Sequence, residues 1–504
     1  MNDDPTAVPI ANRLYDESGM RELDRRAMAR PGVGGGALME RAGAALLQAL
    51  EETFPDARRL GVLCGPGNNG GDGYVLARLA GASGWTVKVH GSAGGTGTAS
   101  DGTRAAEAWR AVGGSVDPLE DFAPEAADVW ADCLFGIGLG RPIDGALAAL
   151  IEHLNATGRP VLAADVPSGI DVNTGSVQGV AVRAALTVTM IADKLGLHTG
   201  PAVDYVGAVR VAGLDVPDEV FRDIPFAAVR WRPEAVSRWL PVRRPGAHKG
   251  NCGHVVVIGG APGYSGAGRL AGMAALRAGA GRVTLVTHPE HAALANLERP
   301  ELMVRPAESA RDLQTLLAGA DAVAVGPGLG QQAWGRALWP AVADWTGPLV
   351  VDADALNLLA QAPRRRDDWV LTPHPGEAAR LLAVTTGEVT ADRVAAVDAI
   401  RRRFGGVVLL KGAGTLVAPA PGGGMACITG GHPGMASAGM GDVLTGVMAA
   451  LRAQGLGPGE AAAAGAAWHV AAARLAARRI GAERGMLAGD VIDALPQSGA
   501  GGGS

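Results

Sequence analysis

The chain has 504 residues, 48% of them apolar and 19% charged, with a formal net charge of −5. That length is too great for one compact core and predicts two large domains. The mildly acidic balance, without a basic block, argues against nucleic acid as a partner, and no apolar stretch reaches the ~18–20 residues that a membrane helix needs.

In chain order, the polar, acidic start MNDDPTAVPIANRLYD lacks the basic and apolar regions of a signal peptide, so the cytoplasm is the expected compartment. Helices are predicted over 18–30, with Ser18 as N-cap, and over 37–52. Short apolar runs at 60–64, 86–89, 129–135, 161–164 and 186–191 then alternate with helical stretches at 72–81, 101–112 and 143–155, the pattern of a mostly parallel sheet covered by helices. Around 215–250 the pattern breaks into a proline-containing stretch with a basic cluster, and the domain boundary is placed there. A second series follows, with strands at 254–258, 282–286, 322–325, 349–351, 369–371 and 407–410. Its helices fall at 267–278, 353–360, 375–382, 391–404, 443–454 and 460–479. The four cysteines lie in or beside apolar segments without a Cys-x-x-Cys pair, which predicts buried free thiols. The tail SGAGGGS reads as a flexible linker, set aside from the fold.

In the first half, Cys64-GPGNNGGDG-Tyr74 follows a strand and opens a helix. It contains Gly65-x-Gly67-x-x-Gly70, the pattern of a dinucleotide loop, but the acid expected after the second strand is missing. Either the loop cradles a nucleotide and Asn69 offers its amide oxygen to a cation, or it is a glycine-rich turn with Asp72 capping a helix. Asp132 precedes the glycine loop Gly136-Ile-Gly138-Leu-Gly140, and Asp165 stands at another strand end in Asp165-Val-Pro-Ser168-Gly-Ile-Asp171. Asn69, Asp132 and Ser168 form an oxygen-only set suited to a hard cation and unsuited to zinc. Together these motifs resemble the NAD(P)H-hydrate epimerase family over about residues 14–215. The resemblance implies a Rossmann-like three-layer fold and potassium held by Asn69, Asp132 and Ser168. It also implies substrate contacts from Asn68, Asn69, Gly70, Gly71, Asp72, from Gly136, Ile137, Gly138, Leu139, Gly140, Arg141, Pro142, and from Asp165. Lys194 matches a family lysine near the site, or is a solvated surface lysine.

In the second half, GGHPGMASAGMGD (430–442) is glycine-dense and runs into an apolar helix. Its backbone N–H groups and the helix N-terminus suit an anion, and Asp442 stands where a base for phosphoryl transfer would act. The bland reading is a helix cap. Lys411-Gly412-Ala413-Gly414-Thr415 follows a strand and suits a nucleotide, or is simply a hairpin turn. His374 lies on a loop at the same sheet edge, and Asp352 and Asp354 are helix caps or acids near the site. With GGAPGYSGAGRLAG and GPGLG, these motifs resemble the ADP- or ATP-dependent NAD(P)H-hydrate dehydratases of the ribokinase-like superfamily, over about residues 235–495. The resemblance implies AMP-moiety contacts at Lys411, Gly412, Ala413, Gly414, Thr415 and Gly441. Hydrate contacts are implied at Ala267, Gly328, His374 and Asp442. Met440 departs from the family's Gly-Thr-Gly-Asp, which removes one hydroxyl from the cradle.

The expected molecule is therefore an α/β protein with an epimerase domain over 14–220 and a ribokinase-like dehydratase domain over 230–496. It would interconvert R and S hydrates of NAD(P)H and dehydrate the S form at the expense of ADP (or ATP), giving AMP and phosphate in the ADP case, with K+ and Mg2+. The alternative is a small-molecule, vitamin-type kinase with a silent N-terminal binding domain. A homo-oligomer stays open.

Overall fold

The computed structural model describes residues 8–30, 32, 34, 36–91 and 100–499. Two compact units are found, Pro5–Val229 and Arg230 onward. Among the described residues, no helix is long and apolar enough to cross a membrane.

In the first unit a 7-stranded, wholly parallel sheet runs in the order Asp117–Pro118, Thr86–Gly91, Arg59–Cys64, Val129–Cys133, Val161–Ala164, Leu186–Met190, Ala208–Ala212. The chain starts in the middle, builds outward to one side, then returns and builds to the other. The reversal lies between Arg59–Cys64 and Val129–Cys133, and a ligand crevice forms beyond the carboxyl ends of strands at such a switch point. Central strands such as Val129–Cys133 are buried along their whole length, as a sheet covered on both faces requires. Trp130 is fully buried and donates its indole N–H to the Pro124 carbonyl.

The second unit repeats the logic. Its strands run Ala426–Ile428, Thr415–Ala418, Val407–Leu410, Val370–Leu371, Leu349–Val351, Ala322–Val325, His254–Ile258, Arg282–Thr287, Met303–Pro306. All are parallel from Val407–Leu410 to Met303–Pro306, and the switch point falls between His254–Ile258 and Ala322–Val325. The helix Met440–Ala453 is buried from Val443 to Leu451. A Cβ at its Gly446 would stand 2.9 Å from that of Ala274, so this glycine lets the helix lie close against Ser265–Arg277.

Several expectations change. Asp16, not Ser18, caps the first helix, Glu17–Met28: its carboxylate accepts from the Gly19 amide at 2.7 Å, and Ser18 donates to it. The helix expected over 391–404 begins at Arg393, because Asp392 leaves helical geometry and caps it through the Ala395 amide; a separate helix, Thr386–Ala391, precedes it unanticipated. The strand expected over 129–135 stops at Cys133, where the Asp132 carboxylate and Ser168 hydroxyl take the Leu134 and Phe135 amides away from the sheet. Ser498 and Gly499, expected in a flexible tail, close the helix Ala488–Gly499, with Gly499 packed against Trp468; residues 500–504 lie outside the described residues. Among the described residues, seven strands were not anticipated: Arg13–Leu14, Asp117–Pro118, Ala208–Ala212, Ala228–Trp231, Met303–Pro306, Thr415–Ala418 and Ala426–Ile428.

Candidate functional site

Each unit carries a cluster of polar side chains at its switch point. In the first, Asn68, Asn69, Gly70, Gly71 and Asp72 form the opening of the helix Asn68–Ala82. Gly67 occupies the cap position, so Asp72 stands more than a turn inside and does not cap the helix. Asn69 is 9% exposed, and neither its amide oxygen nor its amide nitrogen has a hydrogen-bond partner. A buried amide left this way is costly unless a ligand or ion engages it. A Cβ on Gly136 would lie 3.3 Å from Asp165 Oδ2 and 3.6 Å from Asn69 Oδ1, so the loop 136–142 borders the same space.

Asp132 is fully buried. Ser168 donates its amide to Asp132 Oδ2 at 2.8 Å and its hydroxyl to Oδ1 at 2.7 Å, while the Leu134 amide donates at 3.2 Å. Burial outweighs these bonds and pushes the carboxyl up to about 6. A cation would reverse that balance. The unengaged Asn69 oxygen and the buried Asp132–Ser168 oxygens are hard donors, and among the described residues no three His, Cys, Asp or Glu converge as a transition-metal site requires. The donor set fits a hard cation, a class that includes potassium.

Asp165, just past the strand Val161–Ala164, adopts φ 66, a left-handed conformation costly for a non-glycine residue, and its amide donates to the Val188 carbonyl at 2.8 Å. Its Oδ1 accepts from Lys194 Nζ at 2.7 Å and from the Met190 amide at 3.0 Å. Lys194 is 1% exposed, and its other donors reach Thr189 Oγ1 at 2.6 Å and the carbonyls of Met190 and Ala192. It is not a solvated surface lysine. Asp24 escaped the sequence reading. Burial and the Asp165 charge push its carboxyl up to about 6, and burial with both Asp165 and Asp24 raises Asp72 well above the carboxylate range. Asp24 follows buried Leu23 on the Glu17–Met28 helix; an acid next to the apolar face was the available signal.

In the second unit, Gly328 has φ 59, and a Cβ there would lie 2.6 Å from the Tyr264 carbonyl and 3.1 Å from the Ala267 Cβ. Ala267 and Gly328 therefore face each other across the switch point. Asp354 holds the Gly328 loop by accepting from the Gly330 amide at 2.9 Å and the Gln331 amide group at 3.1 Å. His374 caps the helix Pro375–Leu382, its Nδ1 accepting from the Gly376 and Glu377 amides. Burial, then the Lys411 charge, lowers its pKa, so its ring stays neutral.

Lys411 to Thr415 form the turn between antiparallel strands Val407–Leu410 and Thr415–Ala418, so this segment is indeed a hairpin turn. Its shape depends on Arg393, 2% exposed, whose guanidinium donates to the carbonyls of Leu410, Lys411 and Gly414 at 3.2–3.4 Å. Arg393 opens a helix, an end where a cation is disfavoured, and that misplacement was the signal for a partner elsewhere.

Lys411 Nζ bonds Asp352 Oδ1 at 2.7 Å and lies 3.7 Å from Glu377 Oε2. Burial opposes both charges of the Lys411–Asp352 pair, but their attraction wins: Asp352 sits below its ordinary range and Lys411 above it. Glu377, mostly buried, is raised. Asp442 lies in the first turn of Met440–Ala453, behind Gly439 at φ 90, and is not the cap residue. Burial, then the Asp352 charge, pushes its carboxyl up to about 7. Met440 is 6% exposed, so this position packs inward.

Comparison with known proteins follows the same division. Residues 255–497 match the family model described as NAD(P)H-hydrate dehydratase, and residues 35–196 that described as YjeF-related protein N-terminus. The chain is 44% identical over 485 residues to the bifunctional NAD(P)H-hydrate repair enzyme Nnr of Coxiella burnetii, covering 96% of this chain and 98% of that protein. It is 43% identical over 496 residues to the enzyme of the same name from Escherichia coli, covering 98% and 95%. Over 53% of this chain and 96% of that one, it is similar to the ADP/ATP-dependent NAD(P)H-hydrate dehydratase of Bacillus subtilis co-crystallised with ATP/Mg2+, at 28% identity and TM-score 0.47. At that identity over nearly its whole length, the chain belongs to the family of bifunctional NAD(P)H-hydrate repair enzymes.

Proposed function

We propose that the first unit interconverts R and S hydrates of NADH and NADPH, and that the second dehydrates the S form at the expense of ADP, giving AMP and phosphate. The observation that carries the reading is Asp442. A carboxyl at about 7 on a helix N-terminus, beside an ammonium and behind a glycine run, suits proton acceptance during phosphoryl transfer.

In the second unit the hydrate lies over the close contact of Ala267 with Gly328, with His374 and Asp442 facing its hydroxyl. Asp442 takes the hydroxyl proton as the oxygen attacks the terminal phosphorus and the bond to the AMP oxygen breaks. Phosphate then leaves carbon and takes the proton of an adjacent carbon, whose C–H electron pair becomes the ring double bond. The hairpin 411–415 and Gly441 hold the AMP portion, and backbone N–H groups of 430–441 meet the developing phosphate charge. Magnesium arrives with the nucleotide phosphates as part of that substrate.

In the first unit the loop 136–142 and residues 68–72 border the ligand. Asp165, oriented by Lys194, faces it as a proton-handling carboxylate. Asn69, Asp132 and Ser168 would hold potassium, which supplies a fixed positive charge beside the acid cluster. Cys64, Cys133, Cys252 and Cys427 are buried free thiols, which suits the reducing cytoplasm.

The test is incubation with pure S hydrate and ADP. Return of the near-ultraviolet absorbance of NADH, with AMP and phosphate in equal amounts, supports the reading. A phosphorylated product without NADH would instead favour a small-molecule kinase.

A further inference from the structure

Asp352 occupies the cap position of the helix Ala353–Gln361 but makes no capping bond. Its side chain, 2% exposed, turns instead to two other elements. Oδ1 accepts from Lys411 Nζ at 2.7 Å, and Oδ2 accepts from Thr445 Oγ1 at 2.7 Å. A plain buried ion pair needs only the first of these. Thr445 follows Asp442 by three residues on one helix, so the two share a face and the Thr445 bond sets the rotation at which Asp442 is presented. A Cβ at Gly441 would stand 3.4 Å from Lys411 Nζ and 3.8 Å from Asp352 Oδ2, placing the pair directly under the first helical turn.

We propose that Asp352 is a positioning residue for dehydration, one carboxylate that ties the nucleotide hairpin to the helix bearing Asp442 and fixes that base against the substrate. This rests on the reading of Asp442 as proton acceptor. The groups acting electrostatically on Asp442 are Asp352, Lys411, Glu377 and Asp354. His374 stays neutral and lies next to Glu377, at 3.5 Å. Burial keeps His469, on the packed helix Pro458–Ile480, neutral too, down at about 4, and Arg474 of that helix is paired with Glu234. On the other packed helices, Arg269 pairs with Glu298, Arg277 with Asp493, and Asp490 accepts from the Leu487 amide. Asp352 is therefore the strongest anionic influence on the base, and Lys411 the opposing cation.

The test follows kcat and kcat/KM of the full chain against pH, with S hydrate and ADP. Asp352→Asn moves the acid-side inflection down by about one pH unit or more, and Lys411→Met moves it up by a similar amount. Thr445→Val keeps both charges, leaves the inflection in place and lowers kcat roughly tenfold with little change in KM, because only the placement of the base is loosened. If Asp352→Asn fails to fold, the opposite behaviour of Lys411→Met and Thr445→Val decides the matter. An inflection unmoved in Lys411→Met or Asp352→Asn, or an unchanged kcat in Thr445→Val, overturns the proposal even where melting temperatures fall. Asp442→Asn separates the two claims: if it retains activity and the inflection, the base assignment fails and not merely the role of Asp352.

Discussion

In the first unit a lysine buried to 1% exposure grips an aspartate at 14%; in the second an aspartate buried to 2% grips a lysine at 19%. Both pairs close at 2.7 Å, and both aspartates follow a parallel strand. The order of burial is inverted. Where the lysine is innermost, the side turned to the crevice is a carboxylate, and Asp24 and Asp72 add to it. Where the aspartate is innermost, the side turned outward is an ammonium beneath the N-terminus of the helix Met440–Ala453. The same pair thus gives one crevice suited to protons and a cation, and another suited to phosphates.

The largest test of that contrast is Asp442→Asn. Dehydration should fall about 10²–10⁴-fold, the usual worth of a positioned base, while epimerisation continues. Equal losses in both activities would mean that the crevices do not work separately. Next, Lys194→Met strands the carboxylate it holds; breaking such a pair costs about 3–5 kcal/mol, read as earlier unfolding of the first unit by calorimetry. Epimerisation should fall with it, and dehydration of pure S hydrate should survive at temperatures where the second unit is folded. The pH dependence comes third. Asp442 must be ionised to accept a proton and its carboxyl lies at about 7, so dehydration kcat/KM should drop about tenfold per pH unit below that value. A profile flat through neutrality would remove Asp442 from the role. The smallest effect concerns the helix that brings Asp24 to the acid cluster: Asp16→Ala should cost about 1 kcal/mol of stability, and Ser18→Ala no more than about 0.5 kcal/mol.

The parallel core was legible because its strands are uninterrupted apolar runs, as at Val255 to Ile258, closed by glycine loops. The unanticipated strands lack that signature. Met303–Pro306 is largely exposed and ends in proline, an edge strand's composition. Thr415–Ala418 opens inside the glycine motif read as a nucleotide loop, and Ala426–Ile428 stands just after the glycine run 422–424, so both were masked by loop signals. The glycine motifs stand at both switch points, because tight turns and close backbone approach leave their mark in residue type. Partners within a crevice left none: Asp352 read equally as a cap, and Thr445, 93 positions away, became its partner only through the fold. Asp24 and Arg393 are single charges whose meaning depends on what they are buried against.

Arg393 also bears on how quickly the second crevice can fill. Carbonyls of Leu410, Lys411 and Gly414 already converge on one buried guanidinium, so the hairpin 411–415 holds its shape ahead of any encounter. If the proposed nucleotide role of this hairpin holds, little chain entropy is lost on docking, and association is governed by diffusion into the crevice rather than by the ordering of a loop.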